Sequence, residues 1–546
     1  MSWNIIIYYS NLIEVKDSEF MKFMKKSLIM MGVLFAVILT LGAIHAADAA
    51  NTTTFSDLSD EISDTQTSNV VELSSNYQFN ERADRGYVDG VTVSKDMTIK
   101  GNKKVIDGNG KARALYVTSG TNLVVESVTF KNCYSESGGA AIYLCKNSNL
   151  ILKDCIFTNN KVYNSNGGAI NSHSTTSINA YNCVFKYNTA IRESNLEWNK
   201  FKKGMGSVFC IGINSKLNLH DCTVSNNKGY LSTVVVISNS DEGHKASKLY
   251  ANNCLFENNV ARTHTVIYID ELGKCEVTGS TFRNNRATTA CSIIDLDGTI
   301  SSVFKDCLFE SNSGVKGGVF YIFPHGKTKS TVSISGSTFN KNTASEIGGA
   351  IYANSARLTL TNNKFNLNTA KDRGGAIMIH KGSVKLTNCV FNKNKASKGG
   401  AAVFACYNVV MTKSKFTGNK ATKFGGAIYQ KVNKHSVSKC TYKSNKAPKS
   451  KNVFDKYKVY VKQTSKKRSN LRFDIKVHSS WSAPLNQKII LKLKGPKFFK
   501  SKWIKMPTNG KINFKVPVKL KKGTYKVSVF MDGETCKYNH PKIKVV

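Results

Sequence analysis

One short phrase is written four times between Ile347 and Gln430: IGGAIYA, RGGAIMIH, KGGAAVFA and FGGAIYQ. A second phrase, FxxN, falls between the copies as Phe365/Asn368, Phe391/Asn394 and Phe416/Asn419. Taken at Gly348, Gly374, Gly399 and Gly425, the glycine pairs stand 26, 25 and 26 residues apart. A fixed period in that range, with a Gly and an Asn turn signal in each unit, marks a solenoid. Within a unit apolar residues recur at every second position (Leu358/Leu360, Val384/Leu386), which is the strand period. A unit of that length holding only strands and turns fits one coil of a parallel β-helix. Gly-Gly permits positive φ at a corner, and Ala350, Ala376, Ala401 and Ala427 are expected to stack inside the bend.

Followed outward, the Asn of FxxN keeps its register as Asn160, Asn188, Asn227, Asn259, Asn285, Asn312, Asn342, Asn368, Asn394, Asn419 and Asn445, even where Val224 and Tyr442 replace the Phe. Asn tolerates left-handed backbone, and identical amides one coil apart, about 4.8 Å, can bond to each other in a ladder. GGAI alternating with FxxN resembles the repeat of the polymorphic outer-membrane-protein family of autotransported surface proteins. It is more closely similar to the adhesin-like surface proteins of methanogenic archaea. The resemblance spans roughly Val91 to Asn445 and implies a right-handed, pectin-lyase-like β-helix on a cell surface, with adhesion as its role.

The first 20 residues carry acids and no sustained period, and read as an over-extended start. After a better start at Met21 or Met24, the order Lys25-Lys26, an apolar run Leu28–Ile44 and Ala47-Asp48-Ala49 is that of a secretory signal, with an uncleaved membrane anchor as the alternative because the run is slightly long. Export to the cell surface is therefore expected, with the membrane met only through this segment. The expected division is a signal region over 1–49, a linker, N-terminal cap and first coils over 50–130, β-helix repeats over 131–450, and a separate module over 455–546. The acidic Ser/Thr/Asp-rich stretch Asn51–Ser75 reads as a short linker into the cap.

The central coils are looser. The segment Ile191–Gly206 inserts Trp198, Phe201, Lys202 and Lys203 where other coils have a bend. Insertions in repeats map to loops on one face, commonly the binding face, so these four are the binding candidates, against simple loop drift. The GGAI text also fades between Tyr230 and Ile294, giving way to STVVVISNS, HTVIYIDEL and ACSIIDLDG. Localised function is expected beside these coils.

After Lys449 the repeat gives way to alternating runs separated by Lys-Gly-Pro, Asn-Gly and Asp-Gly turns, the pattern of an immunoglobulin-like sandwich. Leu520–Val529 resembles the penultimate strand of the Ig-like modules that follow β-helices in the archaeal family. The chain has a formal charge of +42. Asp455–Val546 alone holds 22 Lys and 2 Arg against 3 Asp and 1 Glu, an excess of 20. Lys488, Lys492, Lys494, Lys515, Lys519 and Lys526 are expected to face out and attract polyanions in a salt-sensitive way, against the plainer reading that they keep edge strands from pairing and the chain soluble. Outside a cell these are anionic wall polymer, acidic glycan or the surface of another or host cell. No nucleic-acid module accompanies the charge, and none of that class is expected as a partner.

Seven cysteines (Cys155, Cys183, Cys222, Cys254, Cys307, Cys389 and Cys440) stand two places before the Phe or its substitute, hence inward as small stacking residues; adjacent pairs in register could oxidise. No catalytic constellation stands out. Asp295 and Asp297 share one face of a strand, with Asp270-Glu271 one coil earlier, the way β-helical enzymes present carboxylates; solvated acids at strand ends are the plainer reading. The His residues show no metal-binding spacing, and neither metal nor cofactor is expected. The favoured function is adhesin-like binding of glycans, cell wall or cells through the β-helix face, with the basic module as a wall-docking or spacer domain. The alternative is a polysaccharide lyase or glycoside hydrolase acting on anionic glycans.

Overall fold

The computed structural model describes residues 52–64, 69–193, 204–236, 246–269, 272–326, 328–406, 409–430, 435–448, 451–455, 458–467, 470–478, 488–502, 504–507, 511–531, 537–539 and 542–546. The chain divides into two units at Thr53/Thr54, and the unit from Thr54 onward holds the stacked coils and the C-terminal module.

Each coil carries up to four short strands, and every strand pairs in parallel with its counterpart one coil away. A leucine face runs through fourteen strands from Val70–Glu72 to His435–Ser438, and an isoleucine face through fourteen from Val91–Val93 to Val453–Asp455. A phenylalanine face extends to Thr441–Lys443, and a narrow face of eleven strands begins at Tyr134–Ser135. The strand period sets which side chains go inward. Leu358 and Leu360 are buried while Arg357 and Thr359 between them are exposed, and Leu358 sits over Val384, which sits over Val409. Because like stacks on like, the core is a set of columns. Phe339, Phe365, Phe391 and Phe416 stack at centroid separations of 4.6, 4.8 and 4.8 Å. Where Val224 interrupts that column, Phe209 reaches across from the isoleucine face to meet Phe185 edge-on at 4.7 Å. The volume lost in one column is refilled from another, as close packing requires.

The corners flanking the Phe strand explain the asparagines, and they correct one expectation. The left-handed residue is not the ladder Asn but the one before it: Leu367 has φ 57°, Lys393 φ 52° and Ser444 φ 54°. That kink turns the following Asn inward. Asn368 Nδ2 donates to Asn394 Oδ1 (3.0 Å) and to the Phe339 carbonyl (3.0 Å), while its Oδ1 accepts both the backbone N–H and Nδ2 of Asn342 (3.0 Å each). The same bonds repeat from Asn160 to Asn445, and Cys133 starts the column by donating its N–H to Asn160 Oδ1 at 3.0 Å. Buried corner amides are thereby satisfied without water.

The opposite corner uses the same device. Asn362 (φ 57°) and Asn388 (φ 52°) precede the inward Asn363 and Cys389. Where this slot holds Ser or Asn, its oxygen accepts an N–H of the neighbouring coil: Ser280 from Cys254 (3.0 Å), Ser337 from Cys307 (3.1 Å), Asn363 from Ser337 (2.9 Å). The cysteines of the slot are free thiols, and six of the seven are buried, Cys440 being half-buried. Their Sγ atoms lean on backbone carbonyls, as in Cys183 to Tyr181 at 3.2 Å.

Register also corrects the glycine count. Ile377 pairs with Val403, so Gly374 corresponds to Gly400 rather than Gly399, and the alanine column is Ala350, Ala376, Ala402 and Ala427 rather than Ala401. Gly348, Gly374, Gly400 and Gly425 have φ of 68, 64, 60 and 58°.

The stretch read as a linker instead contains a helix, Phe55–Ser63. Thr54 and Asp57 form a capping box, and Phe55, Leu58 and Ile62 point into the core beside Tyr77 and Val91. The buried carboxylate of Asp84 accepts the N–H groups of Phe55 (3.1 Å) and Ser56 (3.0 Å), so an anion sits on the helix N-terminus. Among the described residues no helix is long and apolar enough to cross a membrane.

Residues 458–546 form two antiparallel sheets with a core of their own. Lys458–Ser465, Arg472–His478 and Lys511–Lys515 make one sheet, and Lys488–Lys494 and Gly523–Met531 centre the other. Leu471, Phe473 and Ile475 of the first share the core with Leu491, Leu493, Val527 and Val529 of the second. Lys494, Lys515, Lys519 and Lys526 are exposed and Lys492 half-buried; the Lys488 side chain lies outside the described residues.

Candidate functional site

On the isoleucine face the outward positions form a register column: Val235, Tyr268, Asp295, Tyr321, Tyr352, Met378, Phe404 and Tyr429. Most are aromatic or apolar, unlike the outward positions of the phenylalanine face. The rings stack, Tyr321 on Tyr352 at 5.2 Å and Phe404 on Tyr429 at 4.3 Å. Flanking corner residues cover them, and Tyr352, Met378 and Phe404 form a second apolar cluster outside the main core, with Arg373 over the Phe404 ring at 5.4 Å. An apolar layer two residues deep on one side of a strand gives a side chain there a dry environment.

Asp295 falls in this column, and it is fully buried. Its Oδ2 is hydrogen-bonded to His264 Nδ1, whose ring stacks on Tyr268 at 4.4 Å and 16°. Its Oδ1 receives no N–H or O–H donor, and the weakly donating Cys291 thiol is the group beside the carboxylate. Cys291 approaches from the corner just before the same strand, and one ligand atom from each of His264, Cys291 and Asp295 lies within 4.8 Å of the others. Burial, and after it the charge of Asp295, pushes the Cys291 thiol well above the usual thiol range. The Tyr321 phenol is raised for the same two reasons. Two residues on, Asp297 is nine-tenths buried and lies 3.3 Å from His325 Nδ1.

The backbone shows how this cluster arose. Aligning the coils on the register places His264 and Cys291 where neighbouring coils have the first glycine of GGA: Gly139, Gly167, Gly206, Gly317, Gly348, Gly374, Gly400 and Gly425. Cys291 keeps the glycine conformation, with φ 58°, which costs a side-chain-bearing residue about 1–2 kcal/mol. The fading of the GGAI text is therefore the replacement of three such glycines, by Leu231, His264 and Cys291, the last two beside a column position that holds a carboxylate.

Asp295 and Asp297 share the outward side of one strand, and the structure corrects the expectation that they are solvated: both are buried and each meets a histidine. Asp270 and Glu271, and the insertion candidates Trp198, Phe201, Lys202 and Lys203, lie outside the described residues. Sequence reading missed His264, Cys291 and His325, because 27 and 31 residues separate Cys291 and Asp295 from His264. Only alignment of whole coils brings them together.

A second feature lies on the narrow face. Lys395 pairs in register with Lys420, and Lys420 with Lys446, so three exposed ammonium groups follow one another a coil apart. None of the three has an ion-pair partner among the described residues. Like charges directly opposite across a ladder are unfavourable. A shallow depression beside them is lined by Lys420, Thr422, Lys446, Pro448 and Lys451.

Coils of this hand and stacking define a class. A model of the right-handed β-helix region matches residues 267–446, and the fold is a right-handed parallel β-helix. Residues 154–173, which hold the coil from Asp154 through the GGAI of Gly167–Ile170, match the repeat of the Chlamydia polymorphic membrane protein. No protein of curated function and no solved structure matches the chain.

Proposed function

We propose that this is an exported β-helical surface protein of adhesin-like type that holds anionic glycan or wall polymer along the lysine-rich end of the helix. The observation that carries the reading is the row Lys395–Lys420–Lys446. Three cations at coil spacing, without an ion-pair partner among the described residues, repel one another, and a linear polyanion laid along the narrow face would relieve that repulsion. The repeat shared with polymorphic membrane proteins supports placement at a surface. The module from Lys458 onward continues the basic character. We read it as Ig-like, because its first, second and fourth long strands form one sheet while the third and fifth pair in the other. Tyr525 OH also donates to the Lys521 carbonyl at 2.9 Å, the bond of a tyrosine corner. In this reading the module adds charge for docking to the wall.

The test is binding of the full chain to immobilised polygalacturonate and to a neutral glucan, each at low and high salt. Binding to the polyanion alone, weakened by salt and by the triple change Lys395→Glu, Lys420→Glu and Lys446→Glu, supports the proposal. Equal retention on the neutral glucan, or indifference to the triple change, refutes it.

A further inference from the structure

The irregular coils of the isoleucine face carry a second, chemically different feature. We propose that His264, Cys291 and Asp295 form a binding site for a late first-row divalent cation, with Zn2+ the fitting ion.

The donor set is one imidazole nitrogen, one thiol sulfur and one carboxylate oxygen, all within 4.8 Å of one another across two consecutive coils. Mixed nitrogen and sulfur donors select Zn2+ and its neighbours over Ca2+ or Mg2+, which take oxygen. Three protein donors leave the remaining coordination position to solvent or an incoming ligand, the composition of an open zinc site.

One observation goes beyond the proximity. Asp295 is fully buried, and with its Oδ2 bonded to His264 its Oδ1 is left without an N–H or O–H donor, only the weakly donating Cys291 thiol standing beside it. A buried carboxylate oxygen without a partner is costly unless something cationic or protic reaches it. Cys291 stands at φ 58° where eight other coils use glycine, so Cys291→Gly suits the backbone there. Tyr268, stacked on His264, fixes the ring that a ligand must hold still. On binding, the Cys291 thiol gives its proton to solvent and coordinates as thiolate. The site lies on a different face from the lysine row, so it stands or falls separately from polyanion binding.

The experiment uses the full chain, thiols reduced and oxygen excluded, titrated with Co2+ and then Zn2+. The expected result is a near-ultraviolet thiolate-to-Co2+ charge-transfer band that saturates at one ion per chain and is displaced by Zn2+. Cys291→Gly restores the residue the neighbouring coils use, so it should fold at least as well as the parent, and it should abolish the band. Asp295→Asn should weaken Zn2+ binding at least about tenfold. The proposal is overturned if no band develops, or if the band survives Cys291→Gly and so belongs to another of the 14 cysteines. Unchanged Zn2+ affinity in Asp295→Asn overturns it as well.

Discussion

Replacing Asn368 by alanine removes one rung of the amide ladder and tests whether these amides, rather than the Phe column alone, hold the coils together. Four hydrogen bonds disappear: two that Asn368 Nδ2 donates and two that its Oδ1 accepts. Not every partner is orphaned. Asn394 Oδ1 keeps the backbone N–H of residue 368, and Asn342 Nδ2 keeps the Phe309 carbonyl. The Asn342 backbone N–H is left without an acceptor in a position with no solvent exposure, and the Phe339 carbonyl loses one donor but keeps the Asn366 N–H of the strand ladder. With about 1–3 kcal/mol for the orphaned N–H and about 1 kcal/mol net for the bond lost at the carbonyl, the expected cost is about 2–4 kcal/mol. Asn366→Ala, two residues away and half-buried on the outer side of the same corner, should cost within about 0.5 kcal/mol. Stacked coils unfold in parts, so the measurement is native-state hydrogen exchange by mass spectrometry with a urea melt beside it. In Asn368→Ala, peptides covering Asn342 and Asn394 should lose protection by at least about 30-fold, the equivalent of about 2 kcal/mol. Equal protection in the two variants would falsify the claim that the ladder is a main source of coil cohesion. Asn368→Asp gives a second check through pH. A buried carboxylate facing the Asn394 and Phe339 oxygens binds a proton more tightly folded than unfolded, so its penalty should shrink as pH falls.

Gly374→Ala should destabilise by at least about 1 kcal/mol, because φ is 64° and a Cβ would stand 2.4 Å from the Ile377 carbonyl oxygen; a melting temperature equal to the parent's would contradict this. Asp84→Ala strips the anion from the start of the helix Phe55–Ser63, and it should cost about 1–3 kcal/mol with exchange rising first in that helix. Burial pushes the thiols of Cys307 and Cys389 up to about 11. The folded state therefore keeps these protons more tightly than the unfolded chain, whose thiols ionise near 9. Their contribution is whole below pH 9 and lost as pH rises towards 11, so alkaline melts of Cys307→Ser and Cys389→Ser should be less steep in pH than the parent's. Both thiols should also resist alkylation at pH 8 until the protein is unfolded.

Much of this molecule is legible in one dimension because a solenoid makes sequence spacing and spatial spacing nearly the same quantity. A residue and its counterpart one period later touch, so GGAI and FxxN predict columns, and the inward Phe, Asn and Cys positions follow from the strand period. What the period leaves open is which coil supplies an extra residue. KGGAA shifts by one, and only the pairing of Ile377 with Val403 shows that Ala402, not Ala401, joins its column. Ladder geometry was likewise open, because the backbone kink at Leu367 sits one place before the amide that it turns inward. The capped helix at Phe55 hid in a polar stretch whose three apolar residues are too few to outweigh its composition. Asp295 shows the limit most plainly. Alternation in the sequence puts its side chain outside the sheet, which is where it is, but outside is not the same as exposed. The strand is buried on that side too, and although Cys291 stands only four residues before the carboxylate, His264 reaches it from 31 residues away, which no local pattern connects. Sequence alone sets the coil, its period and its inward face, because those depend on neighbours along the chain and one repeat away. The environment on the outer side depends on how far each corner leans over the next, and that is decided only when the coils are stacked.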